Sequence, residues 1–483
     1  MSKPSIHKDL KKFSRIQKAN IKATKGIAPV AIASLFLFVV FFLIGDFSCS
    51  TGTSAIIMIA AIVGGYMALN IGANDVANNV GPAVGSKALT MGGALIIAAI
   101  FESAGALIAG GNVVSTISKG IIDPKSIADS TVFMMLMLSA LLAGALWINI
   151  ATIFNAPVST THSIVGGVMG GGIAAVGMSV VDWSVMGKIA ASWVISPVLG
   201  GFIAAMLFAF VKNVVLNKED KLTAAKKWVP ILVSIMASAF TMYLMVKGLK
   251  KIWKPEKEII WGVGFAVLVF LPMILKPFIA KAVESLENNK KGVNELFTLP
   301  LIVSAALLSF AHGANDVANA VGPLAAIVSS YSEGAIASKV GIPLWVMLIG
   351  AVGISIGLIL FGPKIIKTVG EKITKLDRVR AYCIALSAAV TVLVASQLGL
   401  PVSSTHIAVG GVFGVGLYRE ISGHKKRQKN IGADLIVKRK LVRRSHLLSI
   451  ISAWIITVPC TASLAGGIYY LLTNIKFDII IAQ

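Results

Sequence analysis

The chain has 483 residues, of which 56% are hydrophobic and only 13% charged, and this composition excludes a soluble multidomain protein. Apolar runs of about 20 residues recur along it, and each is long enough to cross a bilayer. The net charge of +23 would suit nucleic-acid binding. The basic residues, however, crowd into 3–25 and 419–444, beside apolar runs, which is typical of cytoplasmic anchors to anionic lipid. We therefore expect membrane lipid and no nucleic acid as partner.

The apolar runs predict about twelve transmembrane helices in six regions. These are a basic cytoplasmic tail (1–26), a first transmembrane helix (27–46), a first repeat unit (54–211), a linker with two transmembrane helices (212–296), a second repeat unit (297–473) and a C-terminal tail (474–483). The linker helices carry no polar cluster, so scaffold, dimer contact and lipid-facing filler all remain open for them.

One segment, GANDVANNVGPAV at 72–84, recurs as GANDVANAVGPLA at 313–325; we call these the first and second Asn-Asp motifs. A carboxylate and carboxamides at membrane depth are costly, so a chain that places them there twice is expected to coordinate a ligand with them. The glycine before each cluster and the Gly-Pro after it predict that the helix breaks there. A break would free backbone groups, which a bilayer tolerates only inside a protein-lined cavity.

A second duplicated pair is PVSTTHSIVGGV at 157–168 and PVSSTHIAVGGV at 401–412, identical at nine of twelve positions. We call these the Pro-Val-Ser motifs. Each begins 85 or 88 residues after its Asn-Asp motif, so whole units were duplicated. Both lie in short, Gly-rich runs, for which half-helices or re-entrant hairpins are as good an expectation as full spans.

Loop charge predicts that the two units have opposite orientations. The loop at 179–183 has no Lys or Arg, whereas its counterpart in the second half carries ten of them between Arg419 and Arg444. The loop at 249–257, with four lysines, disagrees with this assignment. The other loops outweigh this one. We therefore predict an all-α polytopic membrane protein of two inverted repeats with the site at the midplane, which is typical of secondary transporters.

The Pro-Val-Ser motifs predict an anion site. Proline ends the preceding segment and Ser or Thr can cap a helix that follows, so simple capping is one interpretation. Two buried helix N-termini with hydroxyls would also hold a tetrahedral oxyanion. The candidate ligands are Ser159, Thr160, Thr161, Ser403, Ser404 and Thr405, with Asn74 and Asn315 beside them.

The Asn-Asp motifs predict a cation site, because carboxylate and amide oxygens are hard ligands suited to Na⁺ or a proton. Its candidate ligands are Asp75, Asn78, Asp316 and Asn319, again with Asn74 and Asn315, and the two aspartates would hold Na⁺ directly. Glu102, His162 and His406 could instead form a proton-coupling chain, although core histidines are the simpler interpretation of the latter two. Glu102 and His312 have no counterpart in the other half.

The paired motifs closely resemble those of the inorganic phosphate transporter family, whose members carry phosphate with Na⁺ or H⁺. The resemblance covers 54–211 and 297–473 and implies phosphate as substrate, where the residues alone indicate an oxyanion and a hard cation. We prefer Na⁺ because the duplicated elements are the amide-rich ones, and so predict a Na⁺/phosphate symporter using alternating access; alternatives are coupling to H⁺, transport of a metal-phosphate, or another oxyanion such as sulfate.

Several further expectations follow from this interpretation. Motifs such as GxSxG, HExxH and Walker A are missing from the sequence, and a symmetrically duplicated site suits alternating access better than catalysis, so we do not expect an enzyme. We expect no cofactor other than Na⁺ as the coupling ion. The protein is expected to be a homodimer in the cell (inner) membrane, with its N-terminus in the cytoplasm.

Overall fold

The computed structural model describes residues 27–45, 55–123, 126–127, 129–154, 158–248, 255–333, 341–372, 376–431 and 444–474. The predicted N-terminal tail, residues 475–483 and residues 432–443 of the basic loop lie outside the described residues.

The described chain is helical almost throughout. The helices are α1 (Ile27–Gly45), α2 (Ala55–Gly85), α3 (Met91–Ala109), α4 (Gly111–Lys119), α5 (Ser130–Ile153), α6 (Thr160–Val176), α7 (Trp183–Val211), α8 (Lys221–Lys247), α9 (Lys257–Glu284), α10 (Lys290–Leu296), α11 (Thr298–Asp316), α12 (Ala318–Glu333), α13 (Leu344–Lys372), α14 (Arg378–Gln397), α15 (Ser404–Ile431) and α16 (Arg444–Asn474). Eleven helical segments in these ranges are long and apolar enough to span a membrane, with α11 and α12 counted together. The prediction of an all-α polytopic membrane protein is confirmed.

The predicted helix break occurs in only one of the two Asn-Asp motifs. In the second motif, α11 ends at Asp316 and α12 begins at Ala318. In the first motif, α2 runs unbroken from Ala55 to Gly85, so the prediction is wrong there. Gly72 serves packing instead: a Cβ on it would lie 2.0 Å from the carbonyl oxygen of Ile354. Close approach of two helices, and not a helix end, requires glycine at this position.

Helices of the two halves pack in reciprocal pairs. The first motif helix, α2, packs along α13, and α11 of the second half packs along α3; in the same way α7 packs on α15 and α16 on α6. The close approaches repeat as well, because a Cβ on Gly313 would lie 2.0 Å from the carbonyl oxygen of Glu102, as one on Gly72 would from Ile354. Glu102 and Ile354 therefore occupy equivalent positions in the two halves.

Two sets of loop contacts mark opposite ends of the molecule. At one, which we call the Asp182 end, the Asp182 amide donates to the Ile121 carbonyl at 2.9 Å. At the other, the Arg378 end, Arg378 forms an ion pair with Glu295 and donates to the Lys87 carbonyl. Helix α7, of 29 residues, begins beside Asp182, and its other end lines a pocket together with the residues on either side of Arg378. At about 44 Å it is long enough to separate the two ends by a membrane thickness.

Candidate functional site

The Pro-Val-Ser motifs form two buried helix N-termini. Ser159 precedes α6 and its hydroxyl oxygen accepts from the His162 amide at 3.1 Å; Ser403 caps α15 in the same way, accepting from the His406 amide at 3.3 Å. The capping interpretation is thus correct for these two serines. The hydroxyls that follow them are all buried, and these belong to Thr160, Thr161, Ser404 and Thr405. Both termini therefore present hydroxyl groups inside the protein.

Asp75 lies where the two halves meet. Its side chain is 1% exposed and accepts hydrogen bonds from Thr160 of its own half, at 3.0 Å, and from Thr405 of the other half, at 3.1 Å. Asn78, one turn further along α2, donates to the Thr405 hydroxyl at 2.7 Å. One carboxylate of the first motif is thus joined to both helix N-termini.

Asp316 has a related set of contacts from the other side. Ser404 lies 3.5 Å from its Oδ2 atom, and Thr160 lies 3.4 Å from the same oxygen. Asn319 donates to the Thr160 and Thr161 hydroxyls at 3.4 and 3.3 Å, as Asn78 does to Thr405. The oxyanion ligands and cation ligands predicted from the sequence therefore form one interleaved cluster and not two separate sites.

The remaining motif amides fix the backbone around this cluster. Asn315 donates to the Ser396 hydroxyl at 2.9 Å and accepts from the Val402 amide at 3.2 Å. Asn74 contacts Thr152 at 3.0 Å, the equivalent bond in the first half. With its amide oriented so that both atoms are satisfied, Asn74 also donates to Asp75 Oδ1 at 3.2 Å. These two asparagines position the aspartates and the segments that lead into α6 and α15.

A histidine that the sequence analysis left without a role completes the cluster. His312 is fully buried, with Nε2 at 3.0 Å from Asp316 Oδ2 and 3.7 Å from Asp75 Oδ2. Its Nδ1 atom lies 3.1 Å from Glu102 Oε2, and Asn79 donates to Glu102 Oε1 at 2.7 Å. The signal for His312 was its place four residues before Asp316, which puts both on one face of α11.

The two histidines predicted as candidates for proton coupling, His162 and His406, lie in a different arrangement. His162 stacks on Trp193 with ring centroids 3.7 Å apart and meets His406 edge-on at 4.6 Å. Trp193 in turn donates to the Pro401 carbonyl at 3.1 Å. This aromatic group braces the two helix N-termini against each other, whereas Glu102 is joined to Asn79 and His312.

The chemistry of the cluster suits a hard cation together with an anion. Ligand atoms of Asp75, His312 and Asp316 lie within 4.8 Å of one another, and all three side chains are buried. Two carboxylates so close need positive charge between them. Hydroxyls and helix N-termini on the same cluster favour a negative ligand next to that charge.

Comparison with known proteins gives a consistent result. A family model described as "Phosphate transporter family" matches residues 71–465. A Helicobacter pylori strain J99 protein named "Putative phosphate permease" is 45% identical, covering 97% of this chain and 99% of its own. A Haemophilus influenzae protein of the same name is 38% identical over 87% of this chain and 98% of its own. A solved structure titled "The sodium-dependent phosphate transporter" superposes with a TM-score of 0.78 at 37% identity, covering 87% of this chain and 99% of that one.

The residues matched by the family model include both Asn-Asp motifs and both Pro-Val-Ser motifs. The sequence-based recognition is confirmed, and so is the expectation of a transporter and not an enzyme. The chain belongs to the phosphate transporter family.

Proposed function

We propose that the protein imports inorganic phosphate by symport with Na⁺ through alternating access. The observation that carries the proposal is the position of the Thr160 hydroxyl, 3.0 Å from Asp75 and 3.4 Å from Asp316. A group proposed for phosphate is thus held by the groups proposed for the cation. The solved relative described as sodium-dependent supports Na⁺ as the cation.

This geometry suggests how the two solutes are coupled. The hydroxyls of Thr160 and Thr405 donate to the carboxylate of Asp75. Na⁺ bound at the carboxylate would occupy the oxygen lone pairs that accept these two hydrogen bonds. The hydroxyl hydrogens would then be free to donate to phosphate. Phosphate entering first would meet buried negative charge, which is strongly unfavourable without a counter-ion. Cation binding therefore prepares the anion site, and each solute increases the affinity for the other.

The duplicated ligands provide one Na⁺ position in each half. Asp75 with Asn78 and Asn74 would hold one ion, and Asp316 with Asn319 and Asn315 the other. Phosphate would lie between the two ions, at the N-termini of α6 and α15. Its ligands there would be the hydroxyls of Thr160, Thr161, Ser404 and Thr405, next to the capping serines Ser159 and Ser403. Carboxylate and amide oxygens are the ligands that hard cations prefer.

A second candidate, H⁺-coupled phosphate transport, is favoured by one observation. Both ring nitrogens of His312 face carboxylate oxygens, those of Glu102 and Asp316. Such a group could bind and release a proton at the midplane. Transport of a metal-phosphate or of sulfate would use the same oxygen ligands, so substrate competition must separate these alternatives.

Uptake of labelled phosphate into proteoliposomes tests the proposal, with Na⁺ and pH gradients imposed separately. We expect uptake to follow the Na⁺ gradient with a Hill coefficient above one, and sulfate in excess to leave it unchanged. Full-rate uptake driven by a pH gradient without Na⁺ would instead establish proton coupling.

We also propose that the two repeats have inverted orientations and that the protein lies in the cell (inner) membrane. The Arg378 end and the N-terminal tail would then face the cytoplasm. Two equivalent helices support the inversion: α5 begins at Ser130, near the Asp182 end, whereas α14 begins at the Arg378 end. Single cysteines at Ser14 and Asp182, in a cysteine-free background, should label from opposite sides. Labelling from one side would refute the arrangement.

The predicted homodimer remains a proposal, and α9 is the helix best placed for it. Large apolar side chains on this linker helix are exposed in the single chain, among them Trp261, Phe265 and Phe278. Lipid would cover the same surface equally well, so crosslinking of a Phe265→Cys variant in membranes distinguishes the two.

A further inference from the structure

A cavity of about 630 Å³ opens beside the first Asn-Asp motif, between α1, α2, α5 and α13. Its walls are mainly apolar, with few polar side chains among them. Those nearest the motif are Asn70, Asn149 and Thr152, and Lys364 lies on the α13 wall. The cavity is on the side of the molecule toward which α5 and α13 run, which is the Arg378 end.

The polar groups of the cavity lead directly to the candidate site. Asn149 donates to the Asn70 carboxamide at 3.0 Å, and Thr152 contacts Asn74, which lies beside Asp75. Ala73, within the first motif, is itself part of the cavity wall. The Asn74 side chain therefore links the cavity wall, at Thr152, to the Asp75 carboxylate.

The equivalent region of the second half is filled. Motif alignment pairs Ala73 with Ala314, and Ala314 lies in a packed cluster with Phe310 and Leu393. Linker helix α8 closes this cluster with Phe240 and Tyr243, whose ring centroids lie 5.0 and 6.0 Å from that of Phe310. We call Phe240, Tyr243 and Phe310 the aromatic cluster.

The residues that differ between the two regions are those that line the first one. Thr152 and Ser396 are equivalent, since each bonds the motif asparagine of its half. Three residues before them are Asn149 and Leu393, and four before the motif asparagines are Asn70 and Ala311. The polar pair of the open region is thus an apolar pair in the closed one.

We propose that the cavity is the open half of the substrate path and that the aromatic cluster is the gate of the other half. The inference rests on the proposed function, because it assigns to phosphate the route between Lys364 and Asp75. Amide groups and a lysine on apolar walls can replace part of an anion's hydration without holding it tightly, whereas an apolar constriction excludes hydrated ions.

The two regions face opposite ends of the molecule. Helix α14 begins at the Arg378 end, so Leu393, near its other terminus, lies away from that end. Helix α8 begins near the Arg378 end, where the Lys221 amide donates to the Asn288 side chain. Tyr243 lies near the other terminus of α8, away from that end. Alternating access requires that the site be open to one end of the molecule while it is closed to the other. The cavity would provide the open side and the aromatic cluster the closed one. The linker helix α8, left without a role by its sequence, then carries one gate.

Cysteine accessibility tests the inference with a matched pair. Ala73→Cys and Ala314→Cys, each in a cysteine-free background in nanodiscs, are treated with a charged, membrane-impermeant thiol reagent. We expect Cys at position 73 to react at least about tenfold faster, an apparent difference in access of about 1.4 kcal/mol. Equal rates, or faster reaction at position 314, would overturn the assignment.

Truncating the gate provides the second arm. Phe240→Ala with Tyr243→Ala should raise the reaction rate of Ala314→Cys toward that of Ala73→Cys. The control is Phe202→Ala, which removes an exposed aromatic ring of α7, away from the aromatic cluster, and should change nothing. No acceleration in a variant that still elutes as a folded protein would contradict the gate.

A transport measurement separates this inference from the proposed function. Asn149→Leu gives the first half the side chain of the second, and should slow phosphate uptake roughly tenfold through loss of a polar step in the path. Unchanged uptake in this variant would refute the route while leaving Na⁺-driven symport intact. Accessibility is measured without any transport, so it stands even if the coupling ion proves to be H⁺.

Discussion

The two halves of the molecule share their ligands and differ in the residues that surround the two aspartates. Next to Asp316, His312 of α11 contacts Glu102 of the first half, which in turn accepts a hydrogen bond from Asn79 of the first motif. The equivalent positions next to Asp75 are Ile71, Ile354 and Ala320, all apolar. Three differences between the repeats, scattered in the sequence, therefore meet at one point. Each polar residue there requires the others, because an unpaired buried carboxylate is strongly destabilising.

Duplication fixed the ligand set of the two halves but not the electrostatic surroundings of the aspartates. Asp75 and Asp316 each accept from hydroxyls of the Pro-Val-Ser motifs, yet only Asp316 has an imidazole nitrogen at 3.0 Å. The two aspartates are thus unequal partners for a cation. Removing either the shared or the unshared features should reveal which of them transport needs.

The largest effect is expected when His312 alone is replaced. His312→Ile leaves Glu102 buried with only Asn79 as partner, which should cost about 3–5 kcal/mol of unfolding free energy. Adding Glu102→Ile and Asn79→Ala reproduces the apolar set found next to Asp75 and should recover most of the loss. Unfolding in mixed micelles measures both, and losses that simply add across the three substitutions would show that the residues are not coupled.

Neutralising the aspartates should come next. Asp75→Asn and Asp316→Asn keep the shape and remove a buried charge, so each should lower Na⁺-driven uptake by roughly 100-fold. We expect the Hill coefficient for Na⁺ to fall toward one in both. Asp182→Asn, which removes only the charge of a helix cap at the molecular end, is the control; wild-type Na⁺ dependence in the two motif variants would reject the cation sites.

The hydroxyls should show a smaller and unequal effect. Thr160 approaches both aspartates, whereas Ser404 lies 3.5 Å from Asp316 alone. Thr160→Ala should weaken phosphate affinity by about 10- to 150-fold and Ser404→Ala by less. Thr160→Ser keeps the hydroxyl and should remain close to wild type. Equal, unaltered affinities measured from uptake at varied phosphate concentration would remove both residues from the anion site.

The smallest effect, and one of equal size in the two halves, is expected at a serine pair that joins them. Ser103 and Ser355 occupy equivalent positions and share a hydrogen bond of 2.6 Å. Ser103→Ala and Ser355→Ala should each cost about 1 kcal/mol of unfolding free energy. A double variant no worse than either single one would confirm a shared bond, and clearly different single costs would argue against the internal symmetry.

Sequence reasoning reached the ligand types and their duplication but not their mutual contacts. It assigned Thr160 to an anion site and Asp75 to a cation site from the chemistry of their side chains, and only the tertiary structure shows that the two, 85 residues apart in the chain, lie 3.0 Å from each other. It also assigned Gly72 to a helix break, since a single sequence cannot distinguish a glycine needed for a turn from one needed for close helix packing.

The sequence by itself determined the class of protein, the repeat and the chemistry of the motifs. Hydrophobicity at bilayer length leaves only helices as spanning elements, and buried carboxylates and amides must coordinate something. The tertiary structure decided which helices of one half pack on which helices of the other, and that Glu102 contacts His312. It also decided that a cavity opens beside the first motif while the equivalent region of the second half is filled, in part by side chains of α8. Those features depend on which surfaces of separate helices meet, and no local pattern along the chain records that contact.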